Sequence, residues 1–390
     1  MNLSKKLDAY SSGVFTMLAE KKAGLIAKGM DVIDLSTGTP DLPPMPHVMK
    51  ALSDAAGDPR NYVYAIQDRP QLLEAAAAWY ARRFNVTLDP KTEIVSLMGS
   101  QDGLAHMALA VIDPGDTVLV PDPGYPIFQM GPYLAGARIH YMPQLRENGY
   151  IIDLDAIDEE VARRARLMVV SYPNNPVTVA APKSFYEKLV AFAKKYDIAV
   201  MHDNAYCELS RDGLRIGSFL QTPGAKDVGV EFNSLSKTYS MPGCRVGFAL
   251  GNPTLVEKLR LIKSHVDFGT FLPVQMAAEA ALNGPQECVE LTRQTYARRQ
   301  RILYEGLNEA GWPIDLPEAT MFAWAKLPEG YADSYEFAVE LMNKTGVICV
   351  PGISFGPRGE GHVRFGLVQD EQRVREAVKR IAGSGILRRG

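Results

Sequence analysis

Through the middle of the chain, short apolar runs rich in β-branched residues alternate with segments whose apolar residues recur at helical spacing. Thr117 to Val120 reads as a short buried strand after the turn Asp113-Pro114-Gly115-Asp116. Leu167 to Ser171, Ile198 to Asp203, Val228 to Asn233 and Val246 to Leu250 read the same way. Between the second and third runs, Lys183 to Tyr196 puts Phe185, Leu189, Phe192 and Ala193 at helical spacing. Strand, helix, strand in this rhythm predicts a mostly parallel sheet covered on both faces, because parallel strands need long crossovers and helices supply them.

After about Asn283 the texture changes. A long charged helix, Gln286 to Ala310, leads to a strand-like Met321 to Ala325. Then come a helix, Ser334 to Thr345, a strand, His362 to Leu367, and a terminal helix. This predicts a smaller α+β domain completed by the N-terminal segment. The expected division is a large domain over 45–283 and a small one from 1–44 and 284–390.

Composition supports two cores: 46% of 390 residues are apolar, more than one interior usually absorbs. The net charge of −3 lacks the basic footprint of a nucleic-acid binder, so positive charge should act at one local anionic ligand. Cys207, Cys244, Cys288 and Cys349 stand far apart with no paired histidines. That argues against a metal or redox site and for a reducing compartment. Met1 to Glu20 has no apolar core suited to a signal peptide, and no stretch approaches the ~20 apolar residues of a membrane span. The expected location is the cytoplasm.

The candidate chemistry sits just beyond the strands. In Asn233-Ser-Leu-Ser-Lys237-Thr-Tyr-Ser-Met-Pro-Gly-Cys-Arg245, the hydroxyls of Ser234 and Ser236 and the guanidinium of Arg245 can converge on an anion beside Lys237. Arginine donates two parallel hydrogen bonds to a phosphate. A desolvated lysine near another cation loses its proton more easily, and the neutral amine attacks an aldehyde. A lone Ser-x-x-Lys is ordinarily a solvated loop; the whole segment argues otherwise. Asp203 ends a buried strand and Tyr206 follows, at the crevice where parallel sheets bind ligands, although an aspartate there also caps helices. Asn175, in Ser171-Tyr-Pro-Asn-Asn175-Pro176, is a turn residue able to donate an amide hydrogen. Ser100 and Gln101 open an apolar helix after Gly99, where free N–H groups suit a phosphate, although Ser100 is also a good plain cap. Tyr125 emerges after the Thr117 strand and can lie flat on a ring. Arg364 sits alone in an apolar strand, costly to bury without a partner; that partner is a ligand carboxylate or a buried acid.

Taken in this order, these segments resemble the fold-type-I, class I and II aminotransferases over essentially the whole chain. The resemblance implies an α/β fold with a seven-stranded, mostly parallel sheet and pyridoxal 5′-phosphate (PLP) as cofactor, and Lys237 as the lysine holding it as a Schiff base. It implies that Asp203 pairs with the pyridine nitrogen, Asn175 and Tyr206 with the phenolic oxygen, and that Tyr125 stacks on the ring. Ser100, Gln101, Ser234, Ser236 and Arg245 would hold the phosphate. Arg364 would clamp the substrate α-carboxylate, and Gly38 would lie in the loop closing over it. Such enzymes are homodimers with sites at the subunit interface, and Tyr64, or else Tyr62, is the candidate contact to the neighbouring subunit's phosphate.

Asp122-Pro-Gly-Tyr-Pro, Ser171-Tyr-Pro-Asn-Asn-Pro and the run from Ser218 to Ser234 resemble most the LL-diaminopimelate aminotransferase-like branch. Two places depart from the family pattern. Val177-Thr178 stands where Thr-Gly is usual after Asn-Pro, and the glycine usual after the tyrosine near position 64 is missing. A β-lyase on the same fold is the alternative reaction. A hydride-transferring dehydrogenase would need a G-x-G-x-x-G turn that is absent. A non-catalytic binding protein has no need of the lysine, aspartate and arginine together.

Overall fold

The computed structural model of the chain describes residues 1, 3–8 and 13–387. Of the terminal segments expected to build the smaller domain, residues 2, 9–12 and 388–390 lie outside the described residues.

Seven strands form the main sheet: β1 (Ile94–Leu97), β2 (Thr117–Asp122), β3 (Arg138–Pro143), β4 (Ala165–Ser171), β5 (Ala199–Asp203), β6 (Gly229–Ser234) and β7 (Gly247–Gly251). Their order is β1-β7-β6-β5-β4-β2-β3. All neighbours are parallel except β7, which runs antiparallel to both β6 and β1. The central strands are buried almost end to end, as expected for a parallel sheet with helices on both faces. That burial made them visible as continuous apolar runs. Two strands lacked the signature. β1 is only four residues long, and β3 lies on the sheet edge with much of Arg138–Pro143 open to solvent.

The helix Lys183–Tyr196 lies between β4 and β5 as its spacing predicts. It buries Phe185, Tyr186, Leu189, Val190 and Ala193 and ends at Asp197, whose φ of 55° stops the helix.

A second, separate hydrophobic core gathers around Trp312, Phe337, Phe365, Val363 and Leu341, with Ile33 and Leu35 from the N-terminal segment. Its sheet consists of β8 (Phe322–Lys326), β9 (Val350–Pro351) and β10 (His362–Gly366) in the order β9-β10-β8, all antiparallel. The N-terminal loop is locked onto this unit. Arg299, on the long helix Glu287–Glu309, makes a bidentate pair with Asp41 (2.7 and 2.8 Å). The N–H of Gly366 donates to the carbonyl of Leu35 at 2.6 Å.

That last contact leaves no room for a side chain. A Cβ at Gly366 would stand 2.0 Å from the carbonyl oxygen of Thr37, a backbone atom that cannot rotate away. Gly366→Ala should therefore push the 35–37 loop off β10 at a cost of about 1–3 kcal/mol of stability. Denaturant unfolding should show a lower midpoint; an unchanged midpoint would mean that the loop is not anchored there.

Candidate active site

Sheet topology brings the chemical residues to one edge. β1, β2, β4, β5 and β6 all end on the same side, and antiparallel β7 begins there. Register makes this concrete: Ser171 is level with Asp203, and Gly247 is level with both Ser234 and Leu97. The segments leaving these positions carry Asn175, Tyr206, Lys237, Ser100 and, just before β7, Arg245. They surround a cavity of about 750 Å³. Of the residues read from the sequence, Gly38, Ser100, Gln101, Tyr125, Asn175, Asp203, Tyr206, Ser234, Ser236, Lys237, Arg245 and Arg364 all line it. Tyr64 does not. It is exposed and tilts against Phe268 at 5.5 Å, while the Tyr62 hydroxyl donates to the Ala56 carbonyl at 2.9 Å.

Three of the cavity's charged groups, Lys237, Asp203 and Arg364, are largely withdrawn from water. Lys237 donates to the carbonyl of Gly38. Burial, together with the positive charges of Arg364 and Arg245, brings its ammonium down to about 8. The Asp203 carboxyl is pushed up to about 6 by burial, partly offset by His202, a backbone hydrogen bond from Ala205 and Lys237. Its Oδ1 is buried with no hydrogen-bond partner among the described residues. Tyr206, fully buried beside it, has its phenol raised, chiefly by burial.

Arg364 is 5% exposed, yet it faces no carboxylate among the described residues. Its Nη1 donates to Asn175 Oδ1 (2.9 Å), its Nη2 to the Ser36 carbonyl (2.8 Å), and its Nε is buried without a partner among the described residues. Burial lowers the guanidinium to about 10. The rings of Phe322 and Phe355 lie 4.2 and 4.9 Å from the guanidinium carbon and hold it in place. Phe355 belongs to a loop fastened to the end of β2, where the Gly124 N–H donates to the Phe355 carbonyl (2.8 Å) and the Arg358 N–H to Asp122 (3.2 Å). Sequence reading missed both phenylalanines. Neither stands in a recognisable motif, and only the antiparallel pairing of β8 with β10 brings Phe322 beside Arg364.

At the opposite wall, Gly99 has φ +84° and leads into the helix Ser100–Val111. A Cβ there would lie 2.3 Å from Arg245 Nη2, so the arginine packs directly on the glycine's bare backbone at the helix start. Gly99, not Ser100, occupies the capping position. Ser234 Oγ accepts the Ser236 N–H at 3.2 Å and shapes the turn that presents Lys237. Tyr125 donates to Gln101 at 3.0 Å, fixing its ring. Thr178 adopts φ 65°, unusual for a β-branched residue, at the place where the family pattern has glycine. Its N–H donates to Asn174 (2.9 Å) and its carbonyl accepts from Ala319 (3.1 Å), which holds the strained turn beside Asn175.

Fold and site together define an enzyme of the aminotransferase class. The chain matches the family "Aminotransferase class I and II" over residues 30–381, and it belongs to that family. It is 46% identical to the LL-diaminopimelate aminotransferase of Syntrophobacter fumaroxidans, over 94% of this chain and 95% of that one. It is 43% identical to the glutamate-pyruvate aminotransferase AlaC of Escherichia coli, over 96% and 92%. The solved structure of substrate-bound BacF from Bacillus subtilis superposes with a TM-score of 0.94 at 35% identity, over 98% of each chain. The expectation of an aminotransferase of the LL-diaminopimelate-like branch is borne out, and nothing in these relatives favours the lyase alternative. Among the described residues, no helix is long and apolar enough to cross a membrane.

A buried cation without an anion is a burden in the ligand-free protein. Arg364→Met should leave the protein without ligands at least as stable as the unsubstituted one, by up to about 1–2 kcal/mol. A clear loss of stability on denaturant unfolding would show that Asn175 and Ser36 satisfy the guanidinium on their own.

Proposed function

We propose that this enzyme holds PLP on Lys237 and, with it, moves an amino group between an L-amino acid and a 2-oxo acid. The observation that carries this reading is one cavity whose buried lysine, aspartate and arginine lack counterparts among the described residues. The residues fit the cofactor. Asp203, with its unpartnered Oδ1, suits a ring nitrogen that donates a proton-bearing hydrogen bond. Arg245, the hydroxyls of Ser234 and Ser236, and the backbone N–H groups of Ser100 and Gln101 at the start of their helix suit a phosphate. When bound, PLP supplies an electron sink for the negative charge that develops at the substrate's Cα.

The chain's own residues do the rest. Asp203 keeps the ring nitrogen protonated. Asn175, whose Oδ1 is taken by Arg364, has its Nδ2 left to donate to the phenolic oxygen, and Tyr206 donates beside it. Tyr125, fixed by Gln101, would offer its ring to the cofactor's ring. Lys237, with an ammonium lowered to about 8, is neutral often enough near pH 7–8 to take the proton from Cα. Arg364 grips the α-carboxylate, and the loop carrying Gly38 closes over it.

This reading keeps two lobes, 45–283 around the cofactor and 1–44 with 284–390 carrying the carboxylate clamp. It also makes the enzyme a homodimer. Tyr62, Tyr64, Phe268 and Phe271 form an exposed aromatic surface, with ring pairs at 5.3 and 5.5 Å. A second copy covering it brings Tyr64 to the partner's phosphate. The unpaired state of all four cysteines supports a cytoplasmic location.

The two arginines should separate by experiment. Arg364→Ala should retain PLP through dialysis yet lose about 2–5 kcal/mol of transition-state binding for every amino acid tested. Arg245→Ala should release the cofactor readily. Measuring PLP dissociation beside single-turnover rates decides it: cofactor loss in Arg364→Ala, or unchanged turnover there, would remove Arg364 from the clamp.

A further inference from the structure

Among the described residues, four cationic side chains line the cavity: Lys22, Lys237, Arg245 and Arg364. The proposed function employs three of them, and Lys22 is left over. It projects from the helix Gly13–Ala27, with its Nζ 2.7 Å from Asp34 Oδ2 and its side chain 37% exposed. An ammonium carries three donors, and among the described residues Asp34 takes one of them. Asp34 is itself fixed, because its Oδ1 accepts from both the N–H (2.9 Å) and the hydroxyl (2.6 Å) of Ser36. Lys22 is thus an ammonium held by a rigid carboxylate at the cavity wall, with donors to spare.

Its position relative to Arg364 gives those donors a use. Asp34 and Ser36 form one tight turn, and the Ser36 carbonyl accepts from Arg364 Nη2. Two cations are therefore tied to opposite ends of a three-residue turn. Part of the wall near Lys22 is apolar. Leu18 and Ala19 lie one helical turn before it on the same face, and Ile348 pairs with Asp34 across the strand and packs with Leu18. Two cations with apolar surface beside them match a molecule bearing a carboxylate at each end of a short hydrocarbon chain.

We propose that Lys22 recognises the distal carboxylate of a dicarboxylic substrate, while Arg364 takes the α-carboxylate. The assignment rests on the clamp role of Arg364. A purely structural Lys22, clasping its helix to the Asp34 turn, would affect all substrates alike. A recognition residue discriminates between them.

The test compares kcat/KM for 2-oxoglutarate and for pyruvate in the PLP-loaded enzyme and in Lys22→Gln, Lys22→Arg and Arg364→Ala. In Lys22→Gln the ratio of 2-oxoglutarate to pyruvate should fall about tenfold or more, mainly through KM; Lys22→Arg should keep most of it. A ratio unchanged in Lys22→Gln, or an equal fall for both acids, overturns the assignment. Arg364→Ala separates this from the underlying reading: it should depress both acids whatever Lys22 does, and if it does not, the clamp itself is wrong. A measurement on the unsubstituted holoenzyme needs no variant to fold. Calorimetry should find glutarate bound about tenfold more tightly than butyrate, and equal affinities would contradict recognition of a second carboxylate.

Discussion

Burial of unpaired charge at one sheet edge is the constraint on which the rest of this structure depends. Asp203, Lys237 and Arg364 are each withdrawn from water, and among the described residues none has an oppositely charged side chain in a salt bridge. Left as such, they would favour unfolding. They persist because two well-packed cores, one around the seven-stranded sheet and one around β8 and β10, hold the backbone on either side of the cavity. The same burial that makes the groups costly lowers the lysine toward neutrality and leaves the arginine without a salt-bridge partner among the described residues.

Each charge is positioned by a different device. Asp203 is the last residue of a strand paired on both sides, so its backbone is fixed by the sheet. Lys237 sits in a turn shaped by Ser234, and Arg245 lies on the bare backbone of Gly99. Arg364 is held between two phenylalanines, one from its own sheet and one from a loop bonded to the end of β2. Arg364 is thus coupled to both cores, and the N-terminal loop meets Arg364 and Lys237 through Ser36 and Gly38.

Much of this is legible in the amino-acid sequence, for identifiable reasons. Strands buried on both faces announce themselves as apolar runs, and the residues just past their ends fall in the crevice of a parallel sheet. Asp203, Asn175 and Lys237 are each ambiguous alone, as a cap, a turn or a loop residue, and stand out only when the segments are taken together in order. The helices Lys183–Tyr196 and Ser334–Thr345 follow the expected spacing to the residue. What stays hidden depends on contacts distant in sequence. β3 is a solvent-facing edge with no apolar period, and β1 is too short to show one. Phe322, Phe355 and Lys22 acquire meaning only from the residues that folding sets beside them. Tyr64 packs against Phe268 and does not line its own chain's cavity, and the sequence gives no sign of that.

The most direct test of the central claim, that Lys237 is the cofactor's attachment point, is borohydride reduction of the PLP-loaded enzyme followed by peptide mapping. Reduction should fix a stable pyridoxyl label to Lys237 and to no other lysine. A label on a different lysine, or none at all on protein that binds PLP, would contradict the claim.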